Sequence, residues 1–194
     1  MNIALVKYNA GNTQSVINAL NRIGIDPLLT NSAEELQKAD KVIFPGVGEA
    51  GTTMKHLKEL GLDRILPELT QPFLGICLGM QLMCRHSEEF DTECMGIFDL
   101  DVRRFVPTGS EKVPHMGWNN LVNTKGPLFN GMADTHVYFV HSYYIPFNKM
   151  SIADAEYIHP FCAALHRDNF YAVQFHPEKS GLQGQQILEN FIRL

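Results

Sequence analysis

A single cysteine held between two glycines, where an apolar strand gives way to a helix, restricts this chain to few architectures. The segment is Gly75-Ile76-Cys77-Leu78-Gly79. Residues 71–76 read as a short buried strand and residues 78–85 as a helix, so Cys77 falls on the sharp turn between them, the layout of a nucleophile elbow. Glycines two residues to either side leave room for that turn. A thiol at the first turn of a helix lies at the positive end of the backbone dipoles, which favours thiolate over thiol. The competing reading of Cys77 is a buried cysteine acting as a small apolar residue.

The elbow sits in an alternation of strand and helix signals. Residues 2–8 read as a strand, 13–23 as a helix, 27–30 as a strand, and Ser32-Ala33-Glu34-Glu35 as a capping box that opens a second helix. Residues 41–44 supply a third strand, 49–60 an amphipathic helix stopped by Gly61, and 73–76 the strand that feeds the elbow. That order predicts a parallel sheet. After Cys94 the pattern changes: 98–102, 137–141, 161–167 and 171–175 read as strands, with Asp168-Asn169 as a tight hairpin turn between the last two. Residues 184–194 close the chain as a helix, with Ile187, Leu188, Phe191 and Ile192 on one face. The expected fold is α/β, a mostly parallel open sheet flanked by helices, with an antiparallel β extension in the second half.

At 194 residues and 45% hydrophobic content, residues 1–194 are expected to form a single domain. A net charge of −5 with scattered basic residues argues against a nucleic-acid partner held by phosphate neutralisation. No stretch reads as a membrane span, and residues 2–6 lack the flanks of a signal peptide, so a cytoplasmic location is expected. Cys77, Cys84, Cys94 and Cys162 form no CxxC pair, which argues against both zinc and disulfides. The last three of these read as core packing.

A thiolate needs a base and a group that orients the base. Gln174-Phe175-His176-Pro177-Glu178 offers both two residues apart. Pro177 biases His176 to an extended conformation, and the Glu178 carboxylate can accept a hydrogen bond from the imidazole. Both this run and Cys77 follow strands, and open α/β sheets place their sites at the C-terminal ends of strands. Together they predict a Cys-His-Glu triad. His56, His86, His115, His136, His141, His159 and His166 have no metal-ligand rhythm, so no metal site is expected and they read mostly as structural.

Attack on an amide or ester carbonyl builds negative charge on its oxygen, which backbone N–H groups must already face. The Leu78 N–H is one candidate. The other is the turn Pro45-Gly46-Val47-Gly48 after the third strand, whose glycines allow an N–H to point inward. A glycine-rich turn can also cradle phosphate, but this one lacks GxGxxG spacing and a Lys-Ser/Thr ending.

With Gly75-Ile76-Cys77-Leu78-Gly79-Met80-Gln81 and Phe175-His176-Pro177-Glu178 in view, the chain resembles the class I (triad) glutamine amidotransferases. Pro45-Gly46-Val47-Gly48, residues 113–119 and 138–144, and His176-Pro177-Glu178-Lys179-Ser180 are similar to one branch, the glutaminase subunits of imidazole glycerol phosphate synthase. The resemblance implies hydrolysis of glutamine to glutamate and ammonia, with Cys77 as nucleophile, His176 as base then acid, and Glu178 orienting it. It implies that Val47, with Gly48 and Leu78, completes the oxyanion hole, that Gln81 and Glu89 hold the polar ends of the substrate, and that Ser142 and Tyr143 line its pocket. It also places Asn12, Trp118, Asn119, Tyr138 and Lys179 at the interface with a partner, the (βα)₈-barrel cyclase subunit of the synthase. That cyclase uses the ammonia in histidine biosynthesis, in a heterodimer, and no cofactor is implied. Lys7 and Asn9 stand where the family usually carries an acidic residue and a glycine.

A partner is also favoured on chemical grounds, because ammonia released into neutral water becomes mostly ammonium, which is not nucleophilic. The chain has no evident segment for a phosphorylated acceptor, so the acceptor site is expected on another polypeptide. Low basal turnover that rises with the liganded partner follows, with the Gly46-Val47-Gly48 peptide as the expected switch. The rival readings are a γ-glutamyl hydrolase or cysteine peptidase, a noncatalytic regulatory subunit, and the glutaminase of anthranilate or aminodeoxychorismate synthesis.

Overall fold

The structure, a computed structural model, describes residues 1–8, 13–132 and 135–194. Asn9 and Asn12 lie outside the described residues. The first half runs β1 (Ile3–Val6), α1 (Thr13–Arg22), β2 (Leu28–Thr30), α2 (Ala33–Lys38), β3 (Lys41–Gly46), α3 (Ala50–Glu59), α4 (Leu62–Ile65), β4 (Phe73–Cys77) and α5 (Leu78–Leu82). The second half is mostly strand: β5 (His86–Ser87), β6 (Thr92–Glu93), β7 (Asp101–Arg104), β8 (His115–Asn120), β9 (His136–His141), β10 (Tyr143–Pro146), β11 (Ser151–Glu156), β12 (Pro160–Arg167) and β13 (Phe170–Val173). Pro177–Lys179 forms a 3₁₀ turn, and α6 (Gly181–Ile192) closes the chain.

Among the described residues, the main sheet has the order β2-β1-β3-β4-β13-β12-β10-β7-β5-β6, with β11 added against β12. The pairs from β2 to β13 are parallel, whereas β13-β12, β12-β10 and β10-β7 are antiparallel. This is the expected parallel sheet with an antiparallel extension. β8 and β9 form a separate antiparallel pair. Every residue of β1, β3, β4 and β13 is buried, as strands covered on both faces must be. The period-two pleat sends Ile3, Leu5 and Ile76 to one core with α1 and α6, and Ala4, Val6 and Phe44 to a second core with α2, α3 and α5. No helix among the described residues is long and apolar enough to cross a membrane.

Local signals account for most boundaries. Ser32 caps α2 by accepting the Glu35 N–H at 3.4 Å. The Glu35 carboxylate, however, accepts from the Thr30 hydroxyl rather than returning to Ser32. Asp168 adopts φ 55° in the two-residue turn joining β12 to β13, where Arg167 pairs with Phe170.

Several expectations shift. The helix after Cys77 ends at Leu82 rather than Arg85, because Arg85 N–H pairs with Leu100 O and its guanidinium binds Asp99 and Asp101. The strand expected at 98–102 lies at Asp101–Arg104, since fully buried Phe98 is tied to Met83 O in the preceding loop. α6 begins at Gly181 and ends at Ile192, two to three residues earlier than expected. β8, β10 and β11 carry Gly, Asn, Pro, Ala and Asp, poor strand formers that are held by their partners rather than by propensity.

Candidate active site

β4 and β13 are parallel neighbours with Ile76 opposite Val173, so Cys77 and His176 emerge from the same edge of the sheet. Cys77 ends β4 and starts α5 with φ 54° and ψ −110°, a conformation that is strained for any residue with a Cβ. The glycines around it are there for contact. A Cβ on Gly79 would fall on the Phe44 carbonyl, and one on Gly75 would strike the Met83 sulfur. The elbow therefore presses α5 against β3 with no space between them.

His176 is extended (φ −101°, ψ 94°), as expected before Pro177, and the 3₁₀ turn that follows swings Glu178 back under it. His176 Nδ1 and Glu178 Oε1 stand 2.7 Å apart, with both side chains 2% exposed. Burial works against charge on His176, but the negative charge of Cys77 and the hydrogen bond and charge of Glu178 outweigh it and hold the imidazole up at about 10. Among the described residues its Nε2 makes no aligned hydrogen bond, which leaves that atom for a reacting group. The His176 N–H donates to Tyr138 O, and Ser180 Oγ accepts the Tyr138 N–H while donating to His176 O. Fully buried Ser180 thus pins the histidine backbone to β9.

These groups open onto a cavity of about 300 Å³ lined by Val47, Gly48, Cys77, Leu78, Gln81, Glu89, Pro114, Val140, His141, Ser142, Tyr143 and His176. Gln81 donates from Nε2 to Tyr143 O (3.1 Å) and to Gln174 Oε1 (2.9 Å), so its carbonyl oxygen is what it can offer a ligand. Glu89 accepts the Ala50 N–H at 2.7 Å, and burial lifts its carboxyl above the ordinary range against that bond. Gly46 stands opposite Cys77 in the β3-β4 register, which brings Val47 and Gly48 alongside the sulfur, Gly48 at φ 118°.

Residues 4–194 match the family described as Glutamine amidotransferase class-I. The chain belongs to that family. Imidazole glycerol phosphate synthase subunit HisH of Bacteroides thetaiotaomicron is 60% identical over 196 residues, covering 100% of both chains. HisH of Salmonella typhimurium is 43% identical over 197 residues, again covering 100% of both. A solved structure described as a glutamine amidotransferase superposes with a TM-score of 0.75 at 19% identity, covering 98% of this chain and 97% of that one, which speaks for the fold alone.

Of the site residues expected from the sequence, this amidotransferase gathers Cys77, His176, Val47, Gly48, Leu78, Gln81, Glu89, Ser142 and Tyr143 around one cavity, with Glu178 behind His176. Trp118 is 50% exposed on β8, edge-on to Tyr138 across the pair, and Lys179 Nζ sits 6.0 Å from the Tyr138 ring. Asn119, the other expected interface residue on β8, is partly exposed. The pleat turns it away from Trp118, and its amide is spent on Glu156 O and the His115 ring.

Other supporting groups carry no signature in the sequence. Tyr8 Oη donates to Pro45 O at 2.5 Å, bracing the end of β3. Burial, and then the charge of Cys77, raises its hydroxyl well above the ordinary range. Gln174 Nε2 reaches Cys77 Sγ at 3.7 Å from a fully buried position. His141, read as structural, is part of the cavity wall.

Proposed function

We propose that this chain hydrolyses glutamine to glutamate and ammonia as the glutaminase subunit of imidazole glycerol phosphate synthase, passing the ammonia to a (βα)₈-barrel cyclase subunit in histidine biosynthesis. The observation that carries the reading is the elbow cysteine opening onto the same cavity as the buried His176–Glu178 pair, in a chain 60% identical end to end to a HisH subunit. The Cys77 sulfur attacks the carboxamide carbon, and the oxyanion forms toward the Leu78 N–H and the Val47-Gly48 peptide. His176 gives its proton to the departing nitrogen, releasing ammonia and leaving a thioester. It then takes a proton from water, whose oxygen displaces the sulfur to give glutamate. Glu89 suits the substrate ammonium, and the Gln81 carbonyl suits an N–H.

The regulatory part of the proposal follows from which peptides can turn. Gly46 is paired with Cys77, and a Cβ there would meet Leu78 and Gly79, so rotation is confined to the Val47-Gly48 peptide. The partner surface is the outer face of β8-β9, where Met116 (63% exposed) and Trp118 join Tyr138, and where exposed Leu182 follows Gly181 against the Trp118 ring. Exposed apolar groups of this kind, rimmed by a lysine, suit a docking surface. Val140 lies on the same strand at the cavity wall, so ammonia would leave beside the partner.

A glutaminase assay on the parent and on Cys77→Ala, with and without the cyclase subunit, tests the proposal. Turnover should need Cys77 and should rise from a low basal level with the liganded partner, and free glutamine should be preferred to γ-glutamyl peptides and casein. Equal turnover by the isolated chain and the liganded complex would refute the switch, and activity in Cys77→Ala would refute the nucleophile.

A further inference from the structure

Two histidines that the mechanism leaves unused form a hydrogen-bonded pair between the partner-facing strand and the cavity. His115 on β8 and His141 on β9 are opposite each other in the strand pair, 3% and 5% exposed, with His115 Nδ1 3.0 Å from His141 Nε2. The outer bonds of the pair fix where the protons are. His141 Nδ1 lies 2.7 Å from Tyr143 O, and a carbonyl can only accept, so this nitrogen carries the hydrogen. The Nε2 of a neutral His141 is then an acceptor, and His115 Nδ1 must be the donor to it. His115 Nε2 is left to accept from Asn119 Nδ2 at 3.4 Å.

The orientation of the Asn119 amide agrees. Its oxygen accepts the Asn120 N–H at 2.8 Å, and its nitrogen also donates to Glu156 O at 2.8 Å. One arrangement of protons satisfies all these bonds, and both rings are neutral in it. The surroundings favour neutrality as well. His115 is stacked between Phe139 and Tyr157, at 4.9 and 4.1 Å, and His141 lies against Phe105 and Phe161. Burial lowers His115 to about 4 and His141 to about 3, the latter opposed by its bond to Tyr143 and reinforced by His115 and His176.

The chain of bonds does not stop at Tyr143. The same carbonyl accepts from Gln81, Gln81 donates to Gln174, and Gln174 reaches the Cys77 sulfur. We propose that His115 and His141 are positioning residues for glutamine turnover: a neutral imidazole pair that sets the Tyr143 carbonyl and, through Gln81 and Gln174, the seat of the Cys77 sulfur. Because the pair begins on β8, whose outer face carries Trp118, a shift of that strand is felt in the pocket. The inference rests on the glutaminase reading for its kinetic consequence, although the proton arrangement can be measured without it.

The test uses the full chain in complex with the liganded cyclase subunit. His115→Phe keeps the stacked ring and removes both bonds, leaving His141 Nε2 without its donor. kcat/KM for glutamine should fall about tenfold or more. His115→Asn, whose amide nitrogen stands where Nδ1 was, should recover most of that loss even though it packs less well. Nitrogen-15 spectra of the parent should show both rings neutral with hydrogen on Nδ1, and the Phe variant should lose the fixed tautomer of His141. A Phe variant within twofold of the parent, an Asn variant no better than Phe, or hydrogen on Nε2 of His141 would overturn the proposal. If the parent complex turns over no glutamine, the glutaminase reading has failed, and the spectra still decide the pair.

Discussion

Replacing Glu178 with glutamine removes a charge from the buried end of the proposed triad while keeping its shape. The carboxylate stands 2.7 Å from His176 Nδ1, and with both side chains 2% exposed no water can take its place. His176 is held as an imidazolium until it gives its proton to the departing nitrogen, so the bond that matters is one between a cation and an anion in a dry setting. Bonds to charged groups of this kind contribute about 1.5–3 kcal/mol net, and at about 1.4 kcal/mol per decade the expected loss in kcat/KM is roughly 10- to 150-fold. A neutral amide still orients the ring, so activity falls without vanishing. Glu178 is one of the groups that hold His176 up, and the imidazolium of the variant should therefore titrate at lower pH. Steady-state glutamine hydrolysis by the complex and the titration of His176 by nuclear magnetic resonance measure the two effects. A Glu178→Gln enzyme within threefold of the parent, with an unmoved His176 titration, would refute the role given to this carboxylate.

Cys77→Ala should abolish turnover while the complex with the cyclase subunit still forms, as read by size-exclusion chromatography. Gly184→Ala should lower stability by about 1–3 kcal/mol in urea unfolding, because its Cβ would meet the Pro177 carbonyl that sits under the triad turn. Trp118→Ala should weaken cyclase binding by about 2 kcal/mol, near 30-fold, by calorimetry. Acid should destabilise the fold through the His115–His141 pair. Their folded pKa values lie below the unfolded value of about 6.5, so their contribution is full above that pH and is lost as pH falls toward 4 and 3. His115→Phe should therefore shrink the loss of stability between about pH 7.5 and 5.5 by roughly 1 kcal/mol.

The parallel half of the fold was legible because its signals are local. Fully apolar strands, a capping serine and the glycine–cysteine–glycine elbow each name their structure within a few residues, and β4 and β13 bring Cys77 and His176 together from those signals alone. The second half was less so. β8 reads His-Met-Gly-Trp-Asn-Asn, which no propensity would make a strand, and it is extended because each residue pairs across to β9. The same reason hid the inner groups of the site. Tyr8, Gln174 and Ser180 act through partners 37, 97 and 42 residues away in the chain, and no spacing rule reaches that far. The bonds of Asn119 to Glu156 O and the His115 ring were hidden for a simpler reason: without knowing that β8 is a strand, its alternation relative to Trp118 could not be read.

That alternation links the two surfaces. Along β8 and β9 the outward residues are Met116, Trp118, His136 and Tyr138, and the inward ones are His115, Asn119, Phe139 and His141. Tyr138 belongs to both sides, because its ring faces Trp118 while its backbone bonds the His176 N–H and the Ser180 hydroxyl. A partner docked on the outer face would therefore take hold of a two-stranded unit whose inner face and backbone carry the cavity wall and bond the His176 backbone. Such a unit moves as one piece more readily than it deforms, since its cross-strand bonds and packed rings have no slack. Substitutions on the outer face should then alter affinity and partner activation together. Substitutions on the inner face should lower turnover while leaving affinity for the partner intact. An inner-face variant that weakens the complex as much as Trp118→Ala would show that the hairpin does not act as a rigid coupler.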